Sequence, residues 1–166
     1  VGLSRKDHQT ILNIDVGGGT VKLGLCHNGK LLATSAFAVG GRLIAFDDDG
    51  KMVRIEGPAE QVAEDVGVKL TLGEVLSKED RKKIVSRMVD VIISYATRDP
   101  NDDLCKALLL TENLPQTPAI DGITFSGGVS EYIYRRDEED RGDIGRSIAH
   151  DLRHALAEKR IPEKVY

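Results

Sequence analysis

The sequence predicts an α/β domain whose sheet opens with three consecutive antiparallel strands, and three observations carry that expectation. Ile11-Leu12-Asn13-Ile14-Asp15-Val16 is a short apolar run stopped by glycines, and Asn28-Gly29 sits between two alternating segments. From Ser77 onward, apolar residues recur at helical spacing before a further strand-like run ends at Phe125.

Ile11 to Val16 reads as a buried strand, with Asn13 and Asp15 alternating against Ile14 and Val16; Gly17, Gly18 and Gly19 end it. Thr20 to Cys26 alternates again. Asn28-Gly29 suits a type I′ turn, whose two central residues need positive φ, and Lys30 to Phe37 returns as the third strand. After Val39-Gly40-Gly41-Arg42, the segments Leu43 to Phe46 and Met52 to Ile55 flank Asp47-Asp48-Asp49-Gly50 as a second, separate hairpin. The aspartate run reads as a solvated turn, because a calcium loop needs a glutamate at its twelfth position and here that position is Pro58.

Ser77 reads as a helix N-cap with Asp80 three residues on. The helix carries Ile84, Val85, Met88, Val89, Ile92, Ile93 and Ala96, and ends near Asp99-Pro100. Leu104 to Leu110 is apolar, and its state stays open between helix and strand. Pro115 and Pro118 mark a loop before the strand Ile120 to Phe125, and Gly127-Gly128 turns into a short helix or loop at Glu131 to Tyr134. Arg135 to Arg141 reads as a solvated loop. A last helix begins at Asp143, with Ile144, Ile148, Leu152, Ala155 and Leu156 on one face, and Pro162 closes it.

The 166 residues, 40% hydrophobic and 30% charged, suit one soluble globular domain with a small insertion. A net charge of −4 gives no basic field to collect nucleic acid, and no apolar run approaches the roughly 20 residues needed to cross a bilayer. Neither nucleic acid nor membrane is an expected partner. Cys26, on an otherwise apolar strand face, and Cys105, beside a hydrophobic run, fall outside any CxxC spacing, which argues for core packing in a reducing cytosol rather than a disulfide framework or a four-cysteine zinc site. Val1 to Lys6 has neither a signal-peptide core nor an initiator methionine, so a piece of a longer protein is the expectation.

Chemistry concentrates at Asp15-Val16-Gly17-Gly18-Gly19-Thr20. Glycines let a backbone come close enough to offer N–H donors to a phosphate; Thr20 adds a hydroxyl, and Asp15 suits a Mg²⁺-bound water opposite the phosphates. A glycine-rich turn without a ligand is the plainer alternative. The turn lies inside a hairpin, which excludes a Walker loop and a Rossmann fingerprint, since both use a helix N-terminus.

On these residues the chain resembles the superfamily of acetate and sugar kinases, seventy-kilodalton heat-shock chaperones and actin, whose second phosphate motif is Asp-hydrophobic-Gly-Gly-Gly-Thr between antiparallel strands. Val39-Gly40-Gly41 is similar to the Leu-Gly-Gly that enters the chaperones' insertion subdomain, and Ile123-Thr124-Phe125-Ser126-Gly127-Gly128 to the adenosine motif. Closer still, Asn13 to Thr20, Gly40-Gly41-Arg42-Leu43 and Phe125 to Tyr134 resemble the family of ethanolamine ammonia-lyase reactivating factors, EutA, from about Ile11 to Tyr134.

The resemblance implies an α/β, ribonuclease H-like (actin-like ATPase) lobe with a mixed sheet and helices on its faces. The lobe comprises residues 1–41 and 77–166, with 42–76 as a small inserted hairpin subdomain. It further implies an ATP- and Mg²⁺-dependent, chaperone-like reactivase that frees ethanolamine ammonia-lyase of damaged cobalamin, in the cytoplasm and in reach of a bacterial microcompartment. Asp15 then takes the catalytic and metal-positioning role, Gly17, Gly18, Gly19 and Thr20 bind phosphate, Ser126, Gly127 and Gly128 support the nucleoside, and Glu131 reaches the ribose or is a surface residue. The superfamily's first phosphate motif belongs to another lobe, so this segment alone is expected to bind ATP weakly or not at all. A small-molecule kinase and an actin-like filament protein are the alternatives within the superfamily.

Lys22 departs from the family, which carries a threonine or another small residue at Val21-Lys22. It is either a solvent-facing strand residue, the favoured reading, or an extra phosphate contact. His150 and His154 lie one turn apart with Asp151 between them, the spacing of a zinc-hydrolase helix; with no third ligand nearby, surface residues are the preferred reading.

Overall fold

The computed structural model describes residues 1–6, 8–136 and 139–166. A short helix α1 (Gly2–Lys6) precedes three strands, β1 (Thr10–Val16), β2 (Val21–His27) and β3 (Lys30–Phe37). β1 pairs antiparallel with β2 and β2 with β3, and the turn between the latter holds Asn28 at φ 49° and Gly29 at φ 77°, as a type I′ hairpin demands. β6 (Gly122–Ser126) and β7 (Lys164–Val165) extend the sheet in parallel, giving the order β3-β2-β1-β6-β7. The result is a mixed five-stranded sheet in an α/β domain.

The two faces of this sheet differ in chemistry. Leu12, Ile14, Val16, Val21, Leu23, Leu25, Phe37, Ile123 and Phe125 share one face by register and are all buried. Two helices supply their cover, α3 (Lys78–Ala96) and α6 (Gly145–Ala157), which pack against one another and whose buried residues join the same core cluster. Phe37 stacks on Tyr95 of α3 with ring centroids 4.2 Å apart, an arrangement that favours aromatic pairs beyond simple burial. The opposite face carries Asn13, Asp15, Lys22, Gly24, Thr124 and Ser126, all at least partly exposed. Cys26 belongs to this second face with Lys22 and Gly24; the expectation of an apolar strand face around it was wrong, because strand alternation separates it from Leu23 and Leu25. Ile11 and Cys26 are nevertheless buried at the end of that face where α1 packs on β1 and β2.

Ser77 caps α3: its Oγ accepts from Asp80 N at 3.0 Å and donates to the Asp80 carboxylate at 2.9 Å. The undecided run after Asp102 is helical, α4 (Asp103–Leu108), because the Asp102 carboxylate caps it by accepting from Cys105 N at 2.7 Å. Between β3 and α3 lie the hairpin β4 (Ile44–Phe46) and β5 (Met52–Ile55), and then a helix α2 (Gly57–Asp65) that the hairpin reading of this stretch did not contain. Pro58 in its first turn and Ala59, Val62 and Ala63 on its buried face are the signals that mark it. Leu43, Ile44, Met52, Val62 and Leu76 all belong to the main core cluster, and Arg87 of α3 bridges Asp65 at 2.7 Å and Asp102 at 2.9 Å, tying α2 and α4 to α3.

α6 starts at Gly145, with the Asp143 carboxylate accepting from Gly145 N at 2.8 Å. Of the charged stretch Arg135 to Arg141, Asp137 and Glu138 lie outside the described residues. Among the described residues, no helix is long and apolar enough to cross a membrane.

Ser77→Ala removes the cap and is expected to cost about 1 kcal/mol, read as a lowered urea midpoint. A second prediction concerns alkaline pH. Burial, with the Asp102 carboxylate adding to it, pushes the Cys105 thiol up to about 12 from 9.0, and burial pushes the Tyr95 phenol up to about 12 from 10.0. The unfolded chain therefore releases these protons first, so stability holds below about pH 9 and falls as the pH rises from there towards 12. Urea titrations at a series of alkaline pH values check this, and Tyr95→Phe is expected to flatten the decline.

Candidate functional site

Val16 and Val21 close the β1–β2 hairpin, leaving Gly17 to Thr20 as its loop. Within the loop Gly17 N donates to Thr20 O at 3.0 Å. The N–H groups of Gly18, Gly19 and Thr20 donate to no protein group among the described residues. Three backbone donors left open in one tight turn are what an anion-binding loop requires.

A second segment fixes the loop from behind. Gly41 N donates to Gly17 O at 3.0 Å and Arg42 N to Gly18 O at 2.7 Å, so residues 40–42 run along the loop's carbonyl side. A Cβ on Gly40 would collide with the Gly18 carbonyl and lie 2.6 Å from Gly19 N, and one on Gly41 would lie 2.8 Å from the Cα of Gly145. No side chain fits at either position without moving backbone. The stem of Arg42 lies over Gly18, at 3.4 Å from where a Cβ there would be.

The third segment follows β6. Because β6 runs parallel to β1, Ser126 lies beside Asp15, and the chain turns at Gly127 with φ 85°. A side chain on Gly127 would strike the Asp15 carboxylate and lie 2.5 Å from Val16 O. Val129 N donates to Val16 O at 3.2 Å, and Ile144 N to Gly41 O at 3.0 Å, which brings the start of α6 to the same place. On the polar face, Thr124 Oγ1 donates to Asn13 Oδ1 and Asn13 Nδ2 donates to Ser126 Oγ, both at 2.9 Å, fixing the orientation of Ser126.

These segments enclose a cavity of about 260 Å³ lined by Gly17, Gly18, Gly41, Arg42, Gly128, Val129, Tyr132, Arg141, Asp143 and Gly145. Of the residues singled out from sequence, Gly17, Gly18 and Gly128 line it; Asp15, Gly127 and Ser126 stand at its β1–β6 edge, and Gly19 and Thr20 complete the loop. Glu131, on the short helix α5 (Ser130–Ile133), is not among the lining residues, whereas its neighbour Tyr132 is. Asp143, Gly145 and the network residues Asn13 and Thr124 were not singled out as site residues; Asp143 is read from sequence only as the start of the last helix.

His150 and His154 are exposed on α6, their Nε2 atoms 3.3 Å apart and His150 Nδ1 3.1 Å from Asp151 Oδ1. Among the described residues no further His, Cys, Asp or Glu completes a metal-holding group with them.

Gly40→Ala is expected to destabilise the fold by about 1–3 kcal/mol, since the added methyl has nowhere to go in a packed backbone contact. Urea denaturation of the variant checks this; an unchanged midpoint would contradict the close approach.

The chain matches the family model "EutA: Ethanolamine utilisation protein EutA" over residues 1–163. It is 33% identical over 153 residues to the ethanolamine ammonia-lyase reactivase EutA of Salmonella typhimurium, covering 90% of this chain and 32% of that protein. To the Escherichia coli protein of the same name it is 33% identical over 147 residues, covering 86% of this chain and 31% of the relative. The chain thus spans about a third of the length of these curated relatives. Among solved structures, component A of (R)-2-hydroxyglutaryl-CoA dehydratase from Acidaminococcus fermentans aligns with 97% of this chain and 56% of its own, at 13% identity and a TM-score of 0.38, a likeness too loose to carry an argument. On the family match and these relatives, the chain belongs to the ethanolamine utilisation EutA family.

Proposed function

We propose that this chain is a nucleotide-binding lobe of an ATP-dependent reactivating factor for ethanolamine ammonia-lyase. The single observation that carries the reading is the loop Gly17 to Thr20, with three unused N–H donors held open beside the Asp15 carboxylate by the Gly40–Arg42 segment. Open donors at a glycine turn suit the oxygens of a polyphosphate, and a partly exposed carboxylate suits a hydrated Mg²⁺. The strand order β3-β2-β1-β6-β7, with two parallel crossovers, supports a ribonuclease H-like, actin-like second lobe in which residues 42–76 form the insertion.

In this reading Gly18, Gly19 and Thr20 donate to phosphate oxygens and Asp15 orients the metal through its water. Ser126, Gly127 and Gly128 support the nucleoside, with Glu131 placed for the ribose. Bound Mg²⁺ would neutralise charge on the phosphates. Arg42 and Tyr132 wall the cavity in which the nucleoside sits. The partner is suggested by the relatives' name, ethanolamine ammonia-lyase reactivase. ATP and ADP would favour different angles between this lobe and a second one, and that difference in affinity would drive release of damaged cobalamin from the lyase.

The test uses a protein of the relatives' full length that carries this segment, mixed with cyanocobalamin-blocked ethanolamine ammonia-lyase. Activity is expected to recover only when Mg²⁺ and ATP are both present, and Asp15→Ala is expected to reduce recovery to background. Equal recovery without ATP would overturn the nucleotide part of the proposal, and no recovery at all would overturn the reactivase part.

A further inference from the structure

Lys22 is a charged side chain on the polar face, next to the loop, to which the proposed site gives no task. It stands directly opposite Asp15 in the β1–β2 ladder, and directly paired residues of antiparallel strands project from the same face with Cβ atoms about 4.5–5.5 Å apart. Val21 turns into the core and is fully buried, whereas Lys22 is exposed. Its side chain therefore leaves the sheet on the same face as Asp15, two residues beyond Thr20.

Two further facts bear on its role. Lys22 makes no salt bridge within 4 Å among the described residues, so neither Asp15 nor another carboxylate holds its ammonium. On its other side the paired residue is Ala36 of β3, which offers the ammonium no competing acceptor side chain. A polyphosphate arriving at the open donors meets the negative charge of Asp15 at the same edge, and two like charges a few ångströms apart repel unless a cation stands between or beside them. The lysine is built into the strand at that spot.

We propose that Lys22 donates its ammonium to the terminal phosphate of a nucleoside polyphosphate bound at Gly18 to Thr20, supplying a fixed positive charge on the Asp15 side of the loop. The inference rests on the nucleotide reading above and adds the residue that discriminates by phosphate number. Calorimetric titration of a protein of the relatives' full length that carries this segment, and of its K22M and K22R variants, with ATP, ADP and adenosine tests it. K22M is expected to bind ATP at least about tenfold more weakly, the usual scale of one lost charge-assisted hydrogen bond, to lose less for ADP and nothing for adenosine. K22R is expected to stay within a few-fold of the parent for all three. Because the side chain is exposed, thermal melting of both variants should match the parent, which separates lost contact from lost fold. Unchanged ATP affinity in K22M, or an equal loss for ATP and adenosine, would overturn the role of Lys22. Failure of the unsubstituted protein to bind any of the three would overturn the nucleotide reading itself, and with it this one.

Discussion

The close approach of Gly40 to the Gly18–Gly19 peptide is the contact on which the rest of the site depends. It lets residues 40–42 take the carbonyls of Gly17 and Gly18 as hydrogen-bond acceptors, which fixes the loop and leaves the opposite edge, with its N–H groups, turned outward. Loops of small residues lose much conformational entropy when ordered. Here that cost is offset by backbone bonds from a segment more than twenty residues away. The same logic repeats at Gly127 against Asp15 and Val16, and at Gly41 against Gly145, so the site is an arrangement of backbones with few side chains between them.

A sheet with two unlike faces positions this arrangement. The apolar face is filled by α3 and α6 and anchors β1, β2 and β6 in a common register. That register is what sets Asp15 between Lys22 and Ser126, and a slip of one residue would send the whole polar set into the core. The chain Thr124, Asn13, Ser126 satisfies partly buried polar groups with one another, so the polar face is ordered without being filled.

Much of this was legible in the sequence because the informative signals are local. Asn28-Gly29 dictates its own turn, Ser77 and Asp80 announce a helix start, and alternation around Asn13 and Asp15 shows which side of β1 is polar. The triple glycine could be placed in a hairpin, and that setting separates it from helix-based phosphate loops. What escaped depends on tertiary partners. α2 was missed because its apolar stripe is only Ala59, Val62 and Ala63, too short to outweigh the hairpin beside it. The run from Leu104 to Leu110 takes its helical state from the Asp102 cap rather than from its apolar pattern, and Cys26 faces away from Leu23 and Leu25 because strand alternation, not composition, sets its side. The places of Tyr132, Asp143 and Gly145 at the cavity follow from the packing of α5 and α6, which no spacing in the chain reveals.

The central claim is that the N–H groups of Gly18, Gly19 and Thr20 form a phosphate cradle. An amide-resolved nuclear magnetic resonance titration, with Mg²⁺ and ATP, of an isotope-labelled protein of the relatives' full length that carries this segment addresses it most directly. The account requires the largest shifts at those three amides and at Gly128, with small changes along α3. Saturable shifts centred elsewhere, with the loop amides unmoved, would contradict it.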